Sequence, residues 1–430
     1  MADGARSDHP GVQAQLDRLA ALSPGGDRLG LERITALLDR LGRPHDRLPP
    51  VFHVAGTNGK GSTCAFLRTA LEAAGHRVHA FTSPHLVRFN ERIRLPGRLV
   101  GDEELAGLLA DVLDVSDGIE PSFFEVTAAA AFLAFARTPA DALILEVGMG
   151  GRLDATNVID RPLVTGIAAL GVDHQQWLGP ALTDIAGEKA AIAKTGVPLL
   201  TLAYLPEVTA RIGDVAGARG APVLALGEAW NVWAHPDHLH YSDRAGDLSL
   251  PRPALPGAHQ LDNAGLAIAM LRHQPRLAVP ETALAAAMTE TRWPARLQKL
   301  RAGPLVGSRD VWLDGGHNAQ AAEALAEAIA TLVTGPLHLI AGILTSKDAR
   351  SLLAPFRGVA AHVHAVGFDH PLATPAYDLA AVAAEVGLPA TAHDTVVDAL
   401  AAIPAAAPVL IAGSLYLAGE LLALNDEAPD

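Results

Sequence analysis

Short apolar runs closed by glycine or polar turns alternate along this chain with longer stretches of helical periodicity. Val51–Ala55, Leu143–Val147 and Val164–Leu170 read as strands buried on both faces, because each run of five to seven residues carries a single polar side chain and no polar alternation. A helical run from Ser62 to Ala74 follows the first and stops at Gly75. Near residue 300 the pattern restarts: Val311–Asp314, a Gly315-Gly316-His317-Asn318 turn, then a helical run from Ala319 to about Val333. Leu337–Ile343, His362–Val366 and Val409–Ala412 read as further strands. Strand and helix alternating in this way predict an α/β fold with mainly parallel sheets. The expected organisation is a P-loop-type domain over residues 1–297, with helices flanking its sheet, and a smaller Rossmann-like domain over 298–430. The stretch from Ala203 to Pro256, richer in proline, glycine and aromatics, reads as a β-rich appendage of the first domain.

The segments leaving the strands carry the chemistry. The first strand runs into Gly56-Thr57-Asn58-Gly59-Lys60-Gly61-Ser62 and then a helix, the layout of a phosphate cradle. Glycines let backbone N–H groups converge on phosphate oxygens, and the helix N-terminus favours negative charge. Lys60 would neutralise terminal phosphates, and Ser62 would reach Mg²⁺. The spacing departs from the common G-x-x-x-x-G-K-[ST], since Gly61 separates the lysine from the hydroxyl. The second strand ends on Glu146-Val147-Gly148, and the third on Gly171-Val172-Asp173-His174. Ligands of open α/β sheets bind beyond the carboxyl ends of strands, where these residues gather.

Composition narrows the partners. A net charge of −14 does not suit a nucleic-acid or anionic-membrane surface, so an anionic substrate must be held by local groups and metal. The single cysteine, Cys64, excludes an intramolecular disulfide and reads as a small buried apolar residue on the loop helix. The start, Met1 to Pro10, is polar, and Thr127–Ala136 is too short an apolar run to span a bilayer, so a soluble cytoplasmic protein is expected. Taken one at a time, Glu146 reads as a turn cap or a metal ligand, His174 as one of eighteen histidines, and Ser83 as a turn residue before a proline.

Together these fragments resemble the bifunctional folylpolyglutamate synthase/dihydrofolate synthase family, within the Mur-ligase-like ATP-dependent amide ligases. The resemblance runs from about Leu31 to Leu422. It rests on Gly56–Ser62, Phe81-Thr82-Ser83-Pro84-His85-Leu86, Arg88-Phe89-Asn90-Glu91-Arg92-Ile93 and Phe123-Phe124-Glu125-Val126-Thr127. It continues through Glu146-Val147-Gly148-Met149-Gly150-Gly151-Arg152-Leu153-Asp154-Ala155-Thr156-Asn157 and Gly187-Glu188-Lys189-Ala190. Trp293-Pro294-Ala295-Arg296-Leu297, Leu313-Asp314-Gly315-Gly316-His317-Asn318 and Gly413-Ser414-Leu415-Tyr416-Leu417 complete it. Two departures stand out: alanine at 295 where the family usually has glycine, and Ser346-Lys347-Asp348 where it usually has Asp-Lys-Asp.

The resemblance implies that ATP phosphorylates a substrate carboxylate and that the amine of L-glutamate displaces phosphate from the acyl phosphate. It implies Mg²⁺ at two sites, one on Ser62 and Glu146, the other on Ser83 and His174 with Glu146 near both, and it leaves room for a monovalent cation. Lys189 matches a lysine carbamylated by CO₂, which requires a neutral amine. Asn263 matches a position near adenine, Arg296 an arginine on ATP phosphates, and Asp314 a ribose-binding carboxylate. His317 and Ser414 match positions near glutamate or the phosphoryl group. By residue type alone, Lys189 would be a solvated helix residue, Asp314 a helix N-cap and Arg296 an ion-pair partner.

For the acceptor, Arg92 and Phe124 match folate-site positions, and Asp154 lies in a loop resembling the pterin side of members that take both dihydropteroate and reduced folates. A bifunctional enzyme, monomeric and without nucleic-acid or membrane partners, is therefore expected. Folylpolyglutamate synthase activity alone, or a non-catalytic nucleotide-binding regulator, are the alternatives. A peptidoglycan-precursor Mur ligase is disfavoured, because only 55 residues precede Gly56 and such enzymes carry a full extra domain there, on the order of 100 residues.

Overall fold

The computed structural model describes residues 5–22 and 29–430. Part of the polar start, residues 1–4, lies outside the described residues. Two compact units divide the chain: Met1–Ala254 with Leu261–Thr291 and the last residue form one, and Leu255–Gln260 with Arg292–Pro429 form the other.

The first unit is built on an eight-stranded sheet. Its strands are β1 (Val51–Ala55), β2 (Val78–Phe81), β3 (Ile93–Leu95), β4 (Arg98–Leu99), β5 (Ala142–Glu146), β6 (Val164–Ile167), β7 (Leu199–Thr201) and β8 (Val223–Ala225). Their spatial order is β4-β3-β2-β5-β1-β6-β7-β8. From β2 to β8 all pairings are parallel; β3 and β4 add an antiparallel edge. Every residue of β1, β2, β5 and β6 is buried, as expected where helices cover both faces of a parallel sheet. One core gathers Leu37, Phe81, Phe89, Leu109, Phe132 and Leu143 beneath helices on one side. Helix Phe123–Arg137 begins at a capping box: the Ser122 hydroxyl accepts the Glu125 N–H, and the Glu125 carboxylate accepts the Ser122 N–H. Arg33 pairs with the same carboxylate, so the first turn, which carries Phe124, is held firmly.

The register fixes which strand ends meet. Val54 lies opposite Glu146, Ala55 opposite Ile167, and Phe81 opposite Leu145. The carboxyl ends of β2, β5, β1 and β6 are therefore neighbours, and the four segments leaving them begin at one edge of the sheet.

The β-rich reading of Ala203–Pro256 needs correction in its first part. Pro206–Ala218 is a helix with proline in its first turn, where a missing N–H costs nothing. Only afterwards does a three-stranded antiparallel sheet follow, β9 (Trp230–Ala234), β10 (His238–Asp243) and β11 (Gly246–Pro251). Burial alternates along β10 and β11, with Leu239, Tyr241, Leu248 and Leu250 inward, so this sheet packs on one face only.

The second unit carries a six-stranded sheet of β12 (Gln298–Lys299), β13 (Val311–Leu313), β14 (Leu337–Ala341), β15 (Ala360–Val366), β16 (Ala390–His393) and β17 (Val409–Ala412). The order is β12-β13-β17-β14-β15-β16, antiparallel only at β12. Leu339, Val363, Ala365, Leu379 and Leu410 belong to its core. Among the described residues no helix is long and apolar enough to cross a membrane.

Candidate active site

The loop after β1 is clamped to the segment after β6. The Thr57 and Asn58 N–H groups both donate to the Ala169 carbonyl at 2.8 and 3.1 Å, and the Thr57 hydroxyl donates to the Gly171 carbonyl. Those two amides are used internally. The first-turn amides from Lys60 to Ser62 precede the first helical bond, which Thr63 N–H makes to Gly59 O. They are the donors an anion would meet. Gly59 has φ +81°, and a Cβ there would overlap the side-chain amide of buried Asn263. Glycine is therefore required twice over, and Asn263 on helix His259–Arg272 is seated on the loop. The Lys60 ammonium curls back to donate to the Gly56 and Thr57 carbonyls at 3.1 and 3.3 Å.

At the end of β5, Glu146 is buried and accepts the Ser83 N–H at 3.1 Å, so two of the expected metal residues meet directly. The Cys64 thiol, buried on the loop helix, is held well above its ordinary range, chiefly by burial and then by the charge of Glu146. Glu146 is thus electrostatically close to the helix that carries Ser62. His174 sits at φ +53°, its N–H donating to the Asp173 carboxylate at 2.8 Å, with its ring about half exposed. Among the described residues no three His, Cys, Asp or Glu side chains gather as a metal cage. One buried carboxylate with serine hydroxyls at neighbouring strand ends fits instead a hard ion that keeps waters and takes substrate phosphates, the habit of Mg²⁺.

Lys189 departs most from what a helical lysine usually does. It lies on helix Leu182–Ala190, is only 4% exposed, and donates from Nζ to the Gly56 carbonyl at 2.9 Å. Burial, and then the nearby Lys60 charge, push its pKa from the ordinary 10.5 down to about 7, against the opposing pull of Asp173 and Asp154. The helix is locked to the loop after β5. Arg152 N–H donates to the Glu188 carbonyl and its guanidinium pairs with the Glu188 carboxylate, both at 2.9 Å. A side chain at Gly151 would come within 2.8 Å of the Glu188 carbonyl oxygen and 3.1 Å of Lys189 Cα.

Beside this lies the expected acceptor side. The Phe124 ring rests against Gly148, where a Cβ would overlap it, and tilts against Phe81 at 5.8 Å. Asp154 is buried and accepts the Met149 N–H at 2.9 Å, so Phe124 and Asp154 converge on one Gly148–Met149 backbone. Burial raises the Asp154 pKa, opposed by the hydrogen bonds it accepts. Arg92 is also buried, with Nε against His85 Nδ1 at 2.9 Å and its guanidinium over Phe89 and Phe123 at 5.4 and 5.6 Å.

In the second unit, Asp314, directly after β13, is not a helix N-cap; Asn318 takes that place. The Asp314 carboxylate accepts the Leu297 and Gly316 N–H groups at 2.8 and 2.6 Å. It therefore anchors the Arg296 segment, whose neighbours Ala295 and Leu297 both sit at positive φ, 53° and 44°. The left-handed backbone at 295 gives a physical reason for the usual glycine there. Arg296 donates to its neighbour's carbonyl, Ala295 O, at 2.8 Å. His317 donates from Nδ1 to the Gly315 carbonyl at 2.9 Å. Ser414, after β17, caps helix Leu415–Leu424 by accepting the Tyr416 N–H. The pairing of β13 with β17 puts Asp314 and Ser414 at adjacent strand ends, and Asp314 N–H donates to Ile411 O.

Three residues were passed over by sequence reasoning: Asp173, electrostatically coupled to Lys189, and His53 and Thr156, hydrogen-bonded beneath Asp154. Thr156 stands inside the Glu146–Asn157 motif, and the signal for His53 was a polar residue in an otherwise apolar strand.

A family model described as "Dihydrofolate synthetase, C-terminal domain" matches residues 307–424. The chain is 36% identical over 370 residues to the dihydrofolate synthase/folylpolyglutamate synthase of Bacillus subtilis (strain 168), covering 82% of this chain and 84% of that protein. Its structure is similar to E. coli FolC in complex with DHPP and ADP, with a TM-score of 0.88 at 32% identity over 99% of this chain and 98% of that one. A bifunctional folylpolyglutamate synthase/dihydrofolate synthase with Mn, AMPPNP and L-glutamate bound gives a TM-score of 0.85 at 30% identity, over 98% of each chain. With this agreement over nearly its whole length, the chain belongs to the bifunctional dihydrofolate synthase/folylpolyglutamate synthase family of ATP-dependent ligases.

Proposed function

We propose that this protein joins L-glutamate to the carboxylate of dihydropteroate and of reduced folates, through an acyl phosphate. The observation that carries the reading is Lys189, a buried amine with depressed pKa, hydrogen-bonded to the first glycine of a phosphate loop. A loop that only held a nucleotide would have no use for it. Relatives support the substrates: one solved structure holds DHPP and ADP, another AMPPNP, Mn and L-glutamate.

In the first step a carboxylate oxygen of the acceptor attacks the γ-phosphorus of ATP, and the β–γ bridging oxygen leaves with ADP. The work is positioning and charge neutralisation. The amides of Lys60 to Ser62 and the Lys60 ammonium would hold the phosphates. Ser62, Ser83, Glu146 and His174 would hold divalent metal, which when bound supplies Lewis-acid stabilisation of phosphate charge. Phe124 and Asp154 would take the flat ring system and its N–H donors, and Arg92 the acceptor's anionic end. In the second step the neutral glutamate amine attacks the acyl carbon, phosphate leaves, and the amine's second proton is lost. For the second unit we assign Arg296 and Asp314 to the nucleotide, and His317 and Ser414 to glutamate or the phosphoryl group.

Lys189 as a carbamate belongs to the same proposal. At pKa about 7 the amine is largely neutral in weakly alkaline solution and able to add CO₂. A monomer in the cytoplasm, with its one cysteine buried, completes the reading. The test is ADP release by pure protein with ATP, Mg²⁺ and glutamate, using 7,8-dihydropteroate and tetrahydrofolate in turn. Both should stimulate release. Stimulation by the folate alone would remove the dihydrofolate synthase activity, and stimulation by neither would remove the proposal.

A further inference from the structure

A buried polar pair lies beneath Asp154 that the proposed reaction does not use. His53, in the middle of β1, is fully buried, and its Nε2 lies 2.8 Å from the Thr156 hydroxyl. Its Nδ1 is buried and has no hydrogen-bond partner among the described residues. A proton on Nδ1 would be a buried unsatisfied donor, which costs more than an unsatisfied acceptor lone pair, so the proton resides on Nε2 and Nε2 donates to Thr156. A hydroxyl carries one proton. With its oxygen accepting from His53, Thr156 directs that proton at Asp154 Oδ1, 2.5 Å away. The Thr156 backbone N–H donates to the same oxygen at 3.0 Å. Oδ1 is thereby saturated, and Oδ2 is the oxygen turned toward the Gly148–Met149 backbone, against which Phe124 rests.

An apolar residue would pack the interior of β1 without the cost of burying an imidazole. We propose that His53 and Thr156 are positioning residues that fix the Asp154 carboxylate as an acceptor, with Oδ2 holding the Gly148–Met149 backbone that seats Phe124 on the pterin side. This rests on the proposed role of Asp154 in holding the pterin. The direction of the chain is the essential point. If the Thr156 proton pointed to His53 instead, an ionised Asp154 would face a hydroxyl lone pair at 2.5 Å, and only a protonated carboxyl, itself a donor, would be tolerated there.

The experiment is steady-state kinetics of the full chain with Asp154→Asn, Thr156→Val, Thr156→Ser, His53→Leu and His53→Gln. Thr156→Val keeps the shape and removes the relay. It should raise KM for dihydropteroate roughly tenfold, the loss of one charge-assisted hydrogen bond, with kcat and KM for ATP within about twofold. His53→Leu should act in the same direction. Thr156→Ser and His53→Gln, which restore a donor at the same place, should recover most of the loss. His53→Leu in the Thr156→Val background should add nothing further, because a single chain is already broken. If Asp154→Asn leaves the dihydropteroate KM unchanged, the pterin reading falls, and this inference with it. If Asp154→Asn raises that KM while Thr156→Val does not, or if the two relay changes are additive, the positioning role is wrong and the pterin reading stands. Should His53→Leu fail to fold, the comparison of Thr156→Val with Thr156→Ser decides alone.

Discussion

Replacing Lys189 by methionine should make the protein more stable and inactive at once. Methionine matches the length of the stem and removes the amine. The amine's folded pKa of about 7, against 10.5 when solvated, fixes the sign. Above pH 10.5 both states are neutral and the group costs nothing. As pH falls from 10.5 toward 7, the unfolded chain takes up a proton that the folded chain refuses, and stability is lost. At pH 8 the difference amounts to about 3 kcal/mol of destabilisation in the wild type. Methionine removes that cost and gives up the hydrogen bond to Gly56 O, worth about 1 kcal/mol; the same carbonyl keeps the Lys60 ammonium at 3.1 Å. A net gain of about 2 kcal/mol remains, which for a unit of this size is a rise in Tm of about 3 °C. The assay is thermal unfolding from pH 7 to 10 in carbonate-free buffer, with turnover measured in parallel. The wild type should gain stability with pH across this window and Lys189→Met should not. Added bicarbonate should narrow the gap by giving the wild type a carbamate. A methionine variant that is less stable at pH 8, or that keeps full turnover, would refute the reasoning.

The loop makes a second demand. Gly59→Ala forces an alanine to φ +81° and onto the Asn263 amide, so it should cost ~1–2 kcal/mol and raise KM for ATP; an unchanged nucleotide affinity by calorimetry would contradict the seating of Asn263 on the loop. The Cys64 thiol, buried and pushed up in pKa, should resist a thiol reagent in the native protein and react fully once denatured. In the second unit, His338 Nδ1 meets His364 Nε2 and His364 Nδ1 meets His393 Nε2, each at 2.9 Å, and burial with mutual repulsion pushes His364 down to about 4. A histidine with lowered folded pKa costs stability as pH falls below its solvated value of about 6.5, so the unfolding midpoint should drop between pH 6.5 and 4 and drop less in His364→Asn.

The architecture was legible wherever run length and the flanking proline and glycine decide. Val51–Ala55 and Val409–Ala412 coincide with β1 and β17, because each apolar run is too short for a helix and is bounded by a proline before it and a glycine after it. Helix Pro206–Ala218 was not legible: its aromatic and proline neighbours look like turn chemistry, and only its packing shows that Pro206 starts a helix. At the site, Glu146 and Ser83 stand 63 positions apart and touch only because β2 and β5 pair in parallel. The burial of Lys189 follows from a helix locked to the Gly151–Arg152 loop by backbone contacts that composition does not reveal. His53 was hidden for a related reason: one polar residue in an apolar strand reads as tolerated until its partner, 103 positions away, is seen.

Every step proposed for this enzyme depends on a substrate carboxylate being activated by phosphoryl transfer before glutamate attacks it. Dihydropteroate labelled with heavy oxygen in its carboxylate tests this directly, with the phosphate formed during ligation analysed by mass. One labelled oxygen should appear in the inorganic phosphate for each amide bond made. Amide formation with no label in the phosphate would contradict the acyl-phosphate route.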